Sequence, residues 1–161
     1  MISDQEIIAK YNAQRGKVIQ EYNRIQLPEL VEKMGSNPNY MMMDDTHNDW
    51  SNIQKSRLIE SFIINFPVLP IIVYETSIYN YKIIDGKQRI KAIVDYYNNK
   101  FPLTGLKVTT ELNGCTYAHL PVKIREVLNR YPLKFINILF QNDVSPEQIA
   151  KLLEIVAESY P

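Results

Sequence analysis

A chain of 161 residues, 45% apolar and 22% charged, has the composition of one folded globular unit and is long enough for a sizeable core. Eighteen basic residues offset eighteen acidic ones, so no overall field draws in nucleic acid, and any such contact rests on a local patch. The single cysteine, Cys115, excludes an internal disulfide, no Cys/His cluster offers a zinc site, and no stretch reaches membrane-spanning length.

The opening Met1-Ile2-Ser3-Asp4-Gln5-Glu6 lacks the basic and apolar run of a leader. A cytoplasmic location is expected, the host cytoplasm if the protein is viral, and no membrane partner. Ser3, answered by Glu6, is a capping box. Behind it Ile7, Ile8, Tyr11, Val18, Ile19 and Tyr22 recur at helical spacing, which predicts an amphipathic helix from residue 4 to about 24, weakened or bent at Gly16. Leu27-Pro28-Glu29-Leu30-Val31 starts a second, shorter helix ending near Gly35. No chemistry is visible in residues 1–35. They read as an N-terminal helical extension, a packing or homo-oligomerising arm ahead of a main domain at 36–161.

Residues 35–50 are breaker-rich and predict a loop. Met41, Met42 and Met43 read as adaptable packing surface. Asp44, Asp45 and His47 have the donors for a metal, but contiguous loop residues of this kind are more often solvated. Ser51 with Gln54 is a second capping box. It opens a helix with Leu58, Ile59, Phe62 and Ile63 on one face and Gln54, Lys55, Arg57 and Glu60 on the other, ended by Pro67 and Pro70. Ile71–Tyr74 and Tyr81–Ile84 are short β-branched runs that predict a hairpin.

That hairpin leads into Asp85-Gly86. Beyond it Ile90, Ile93, Val94 and Tyr97 form one apolar helical stripe, so a strand turns sharply into a helix there. A helix start presents backbone N–H groups and positive potential. Lys87, Gln88 and Arg89 fill the first turn, where Asp and Glu are the usual choice. Cations there are disfavoured by the dipole unless an anion sits among them, which makes the turn a candidate phosphate cradle. Asp-Gly followed by polar residues is also a common turn whose basic side chains point to water, so local physics leaves both readings open.

After the central helix, Lys107–Leu112 alternates weakly, and Asn113-Gly114 offers a tight hairpin turn before Cys115-Thr116-Tyr117. Leu120-Pro121 starts a helix with Ile124, Val127, Leu128 and Tyr131 inward. Leu133–Phe140 reads as the last strand, with Ile136, Ile138 and Phe140 on one face. Ser145-Pro146-Glu147-Gln148 is a third capping box, opening a helix with Ile149, Leu152, Leu153 and Val156.

The run Ile83-Ile84-Asp85-Gly86-Lys87-Gln88-Arg89-Ile90-Lys91-Ala92-Ile93 resembles the Asp-Gly-Gln-Gln-Arg motif of a ParB/sulfiredoxin-like domain, the front part of GmrSD-type restriction proteins. Trp50, then Leu58-Ile59-Glu60-Ser61, then Pro67 and Pro70 follow that family's order of blocks, and the resemblance covers residues 25 to 145. It implies an α+β fold, a small mixed sheet with packed helices. The implied partner is a nucleoside triphosphate (ATP, GTP or CTP) with Mg²⁺. Gly86, Lys87, Gln88 and Arg89 would hold it, with Gln54, Arg57 and Ser61 on the facing helix. The implied catalytic groups are Asp85, Arg89 and Glu60. Asp85 would hold the Mg²⁺ or orient water, Arg89 would neutralise phosphate charge, and Glu60 is a further Mg²⁺ candidate. As a first-turn residue, Arg89 is expected to be free of packing.

Three departures matter. The family's extra arginine before the Trp is replaced by Asp45-Thr46-His47-Asn48-Asp49. The Phe-x-Arg-Leu-Asn block after the last strand is missing its Arg and Asn at Leu152–Val156. No nuclease domain follows within this sequence, and His47 and His119 alone build no His-Asn-His site. The expectation is nucleotide binding with hydrolysis weak or lost, a DNA or protein partner supplying the missing group, in phage–host conflict or DNA metabolism. The alternative is a non-catalytic module on the same fold that binds nucleic acid or protein.

Overall fold

Runs rich in β-branched and aromatic residues become the strands of a single sheet in the computed structural model, which describes residues 1–42 and 49–159. The strands are β1 (Val18–Gln26), β2 (Met41–Met42), β3 (Ile71–Ser77), β4 (Asn80–Asp85) and β5 (Pro132–Phe140), in the order β1-β5-β3-β4-β2. β1 with β5 and β3 with β4 run antiparallel, while β5 with β3 and β4 with β2 run parallel. The helices are α1 (Asp4–Gln14), α2 (Leu27–Ser36), α3 (Asn52–Ile63), α4 (Lys87–Tyr97), α5 (Val122–Asn129) and α6 (Pro146–Ser159). This is the α+β fold, a small mixed sheet with packed helices, that the sequence predicts. Asp44, Asp45, Thr46, His47 and Asn48 lie outside the described residues, and with them the candidate metal loop and the slot of the missing arginine.

One face of the sheet carries the core. Ile71, Val73, Ile83, Leu133 and Phe135 point into it, and α2 to α5 cover them with Leu27, Leu30, Ile59, Phe62, Ile90, Ile93, Tyr96 and Leu128. Each such side chain, once fully buried, contributes about 1.5–3 kcal/mol. Ile136, Ile138 and Phe140 share the opposite face, as predicted, and the Phe140 ring meets Tyr74 edge-on at 5.4 Å. In α5, Leu128 is fully buried but Val127 is exposed, contrary to its expected inward position.

The helix expected over residues 4–24 is two elements. Arg15 is extended at the C-cap of α1, Gly16 takes φ +79°, and Val18–Gln26 is a strand in continuous register with β5. Val18, Ile19 and Tyr22 fit a helical stripe, but they are also strong strand formers, and pairing with β5 decides between the two. The predicted strand over 107–112 is instead a loop ending in a 3-10 turn at Thr110–Leu112. Asn113-Gly114 does make a turn, closed by Cys115 N–H donating to Leu112 O at 3.0 Å, without flanking strands. Met41 and Met42, expected in the loop, form β2 beside β4.

Two asparagines, rather than the prolines, stop the helices that matter. Asn65 and Asn99 adopt φ near +58°, at 57° and 58°. Phe66 N–H then donates back to Ser61 O and Lys100 N–H to Asp95 O, satisfying last-turn carbonyls of α3 and α4. At the start of α3 the capping box is complete. Ser51 Oγ accepts from Gln54 N–H at 3.3 Å, and Gln54 Oε1 accepts from Ser51 N–H at 2.8 Å. Ser51→Ala is therefore expected to lower stability by about 1 kcal/mol, roughly 2–4 °C in Tm. Ser3→Ala caps a helix that buries no residue and should leave the calorimetric transition in place. Equal shifts in the two variants would contradict this account.

Candidate functional site

β4 ends at Asp85, still paired with Ile72, and α4 begins two residues later at Lys87. Gly86 makes the junction with φ +113° and ψ 15°. A Cβ built on it would sit 2.5 Å from Ile71 Cδ1, so the chain can turn this tightly over the core only at glycine. The first turn of α4 holds no acidic residue of its own and carries Lys87, Gln88 and Arg89, while the carboxylates of Asp85 and Asp49 reach it from outside the helix.

Arg89 departs from expectation. Its side chain is only 11% exposed, with Nη2 3.0 Å from Asp85 Oδ2 and Nη1 donating to the carbonyls of Leu69 and Pro70. Burial pulls the guanidinium below its usual pKa, and the Asp85 carboxylate opposes that shift. It stays a cation at any physiological pH. Arg89 thus fastens the start of α4 to the segment entering β3, and it packs. Gln88 does the same for the segment entering α3. Its Oε1 accepts Trp50 N–H at 3.0 Å, and its side chain also reaches the Asp49 carboxylate. Lys91 Nζ lies 2.7 Å from Asp49 Oδ2, and this hydrogen bond is the main cause holding the exposed Asp49 carboxyl below its usual range. Trp50, the Pro67–Pro70 segment and Asp85–Arg89 are therefore gathered around one helix start.

The facing-helix residues have other partners. Gln54 caps α3, Ser61 Oγ donates to Arg57 O at 2.9 Å, and Arg57 is exposed. Glu60 is 5% exposed and turns to the loop over 107–109. Its Oε1 accepts from Val108 N–H and Thr109 N–H, each at 2.7 Å, and from Thr109 Oγ at 3.1 Å, while Oε2 accepts from Lys107 N–H at 3.1 Å. Burial pushes the Glu60 carboxyl up, but these donors together outweigh it and hold the pKa below the usual value. The three N–H groups bond a carboxylate in place of a neighbouring strand, which is why 107–112 forms none.

A buried ion pair beside Glu60 was not foreseen. Lys55 Nζ lies 3.0 Å from Asp95 Oδ2 and 5.6 Å from the centre of the Phe101 ring. Ser56, fully buried, accepts Thr104 N–H at 2.9 Å. Lys55, Ser56 and Glu60 are thus the seat of the 100–110 loop. The only trace in the sequence is that they share one side of α3, and nothing local says what lies over it.

Of the cavities that the described residues line, two lie beside β4. An open groove of about 370 Å³ beside the junction is lined by Lys82, Ile83, Ile84 and Lys87 together with Ala150, Leu153 and Glu154 of α6. The other, about 220 Å³, lies at Asn23, Tyr40, Tyr81 and Asn137 and shares no residue with Asp85–Arg89. It is better enclosed but has no helix start among its lining residues, whereas the groove adjoins the start of α4 through Lys87. The smaller cavity is lined in part by Asn137, 3% exposed, whose Nδ2 donates to Glu75 Oε2 at 3.2 Å and whose Oδ1 has no partner among the described residues. No helix among the described residues is long and apolar enough to cross a membrane.

A family model described as "GmrSD restriction endonuclease, N-terminal domain" matches residues 47–160. The match takes in α3 to α6 and leaves β1 and α2 outside, so it starts later and runs further than the resemblance over 25 to 145. No curated protein and no solved structure matches the chain at a significant level.

Proposed function

We propose a nucleotide-binding function for this chain, which belongs to the GmrSD restriction endonuclease N-terminal domain family. In this reading it is a module of a restriction-type system acting in phage–host conflict, and it holds a nucleoside triphosphate at the Asp85–Arg89 junction with little turnover. One observation carries the reading: a glycine-only turn opens a helix whose first turn holds cations and an amide but no acid, beside a groove lined by Lys82 and Lys87. The ParB/sulfiredoxin-like kinship expected from the motif points the same way.

Gly86 lets the backbone approach a phosphate closely, and the helix start supplies positive potential. Lys87 adds a point charge where the family motif carries an amide. Arg89 positions the turn from beneath through Asp85, Leu69 and Pro70. Asp85, whose Oδ2 accepts from Arg89, is the carboxylate that would hold Mg²⁺. Mg²⁺ is usually held by one or two carboxylates, with phosphate oxygens and waters completing the shell, so a single carboxylate fits it only together with the triphosphate. When bound, the ion supplies neutralisation of phosphate charge.

Slow turnover follows from what the side chains already do. Phosphoryl transfer needs cations placed on the developing charge. The Arg89 guanidinium is spent on Asp85 and two carbonyls, and both Glu60 oxygens are spent on the 107–109 loop. A DNA or protein partner supplying a cation would raise the rate.

Titration calorimetry with ATP, GTP and CTP plus Mg²⁺ tests binding. A ligand at a hundred times its Kd should add about 2.7 kcal/mol of stability. Lys87→Ala, which leaves Gly86 and the Arg89 contacts in place, is expected to weaken binding roughly tenfold, about 1.4 kcal/mol. Failure of all three nucleotides to bind, or equal affinity in the variant, refutes the site and leaves a nucleic-acid- or protein-binding module. Rapid phosphate release by the wild type would refute slow turnover alone.

A further inference from the structure

β1 is an outer strand of the sheet, and none of the described elements pairs with its far edge. Its register against β5 runs unbroken from Val18↔Phe140 to Gln26↔Pro132, and Gln141 N–H continues it by donating to Lys17 O at 3.0 Å. In an antiparallel ladder, hydrogen-bonded and non-hydrogen-bonded positions alternate. Lys17 being a bonded position, Ile19, Glu21, Asn23 and Ile25 turn their backbone groups toward β5. Val18, Gln20, Tyr22, Arg24 and Gln26 turn theirs outward. This edge is nine residues long, without proline or bulge, and every residue except Ile25 is exposed. The opposite edge, β2, is two residues long. Proteins seldom leave such an edge bare in solution.

We propose that β1 pairs with β1 of a second copy of this chain, antiparallel about a two-fold axis through Tyr22, joining the two five-stranded sheets into one. Three features select this occupant and register. Tyr22 is the midpoint of Val18–Gln26, so the axis there pairs the whole strand, and it sets outward-bonding positions opposite one another: Val18 with Gln26, Gln20 with Arg24, Tyr22 with Tyr22. The side chains agree, because Ile19 meets Ile25, Glu21 meets Asn23, and no like charges oppose directly. Moving the axis to Glu21 sets two carboxylates face to face, and moving it to Asn23 leaves Val18 and Ile19 unpaired. Finally, α1 buries none of its own residues and exposes Ile7, Ile8 and Tyr11. The two-fold sets Val18, the end of β1 that α1 leads into, opposite Gln26 of the second copy. β1 lies outside residues 47–160, so the surface is not part of the matched family region.

Light scattering on the full chain is expected to give twice 18.8 kDa at micromolar concentration. Cysteine scanning in a Cys115→Ala background then reads the register. Bonded partners at the axis have Cα atoms about 5.5 Å apart, within disulfide reach. Tyr22→Cys should therefore cross-link on mild oxidation. Gln20→Cys and Arg24→Cys should not, since each lies four residues, roughly 13 Å, from its own mate. Tyr22→Lys, at a 73% exposed position, places two ammonium groups at the axis and should raise the dimer dissociation constant at least tenfold while circular dichroism is unchanged. A wild type that stays at single-chain mass, a dimer indifferent to Tyr22→Lys, or cross-linking strongest at residue 20 or 24 would overturn the proposal.

Discussion

Glu60→Ala is expected to lower the stability of the fold by roughly 3–5 kcal/mol, although Glu60 belongs to no hydrophobic cluster. Its carboxylate is the acceptor for three consecutive backbone N–H groups and one hydroxyl of the 107–109 loop. Charge-assisted bonds of this kind contribute roughly 1.5–3 kcal/mol each. The loop is open to water on its outer side, which replaces part of the loss and keeps the total below the plain sum. The consequence extends beyond the loop, because Leu103, Leu106 and Leu112 around it are core residues.

The same carboxylate should give a signature in pH. Its folded pKa lies below the ordinary value of 4.5, so its contribution is complete above that value and is lost as pH falls through the folded pKa. Denaturant unfolding of wild type and Glu60→Gln at neutral and at acid pH checks this. The gap between them should be wide at pH 7 and should narrow as pH falls below the ordinary glutamate range. A gap independent of pH would mean that the Glu60 charge is not what holds the loop.

Gly86→Ala is expected to cost roughly 2–5 kcal/mol, combining about 1–2 for a side chain in the left-handed region with about 1–3 for overpacking. Such a loss corresponds to roughly 4–20 °C in Tm for a domain of this size. The new Cβ would meet Ile71 Cδ1 at 2.5 Å, and Ile71 is fully buried in the core, so it has little room to yield. The Ile71→Val/Gly86→Ala pair separates the two terms. Valine lacks Cδ1, so part of the loss should return, as a coupling of about 1 kcal/mol between residues in contact. Strict additivity would place the whole penalty in the backbone angle. Because the Asp85–Arg89 ion pair straddles the glycine, the nucleotide affinity proposed above should fall with it.

Wherever one local pattern admitted one structure, it was readable. The Ser51 capping box and the spacing of Leu58, Ile59, Phe62 and Ile63 specify α3, the two β-branched runs specify the β3–β4 hairpin, and Asp85-Gly86 before an apolar helical stripe specifies the strand-to-helix turn at the centre of the candidate site. These are properties of neighbouring residues, carried by backbone preference and by which side chains share a face. The tertiary structure decided the rest. Val18–Gln26 satisfies helix and strand alike, and the distant β5 settles it as a strand. The backbone donors of residues 107–109 had to be satisfied somewhere, and Glu60, on another element, takes them in place of a strand. Arg89 sits where a solvent-facing cation was expected, yet the carbonyls of Leu69 and Pro70 draw it inward. Spacing tells which groups point the same way along an element. What faces them there, and so whether a charge binds a ligand or holds a loop, depends on partners that only folding brings within hydrogen-bond reach.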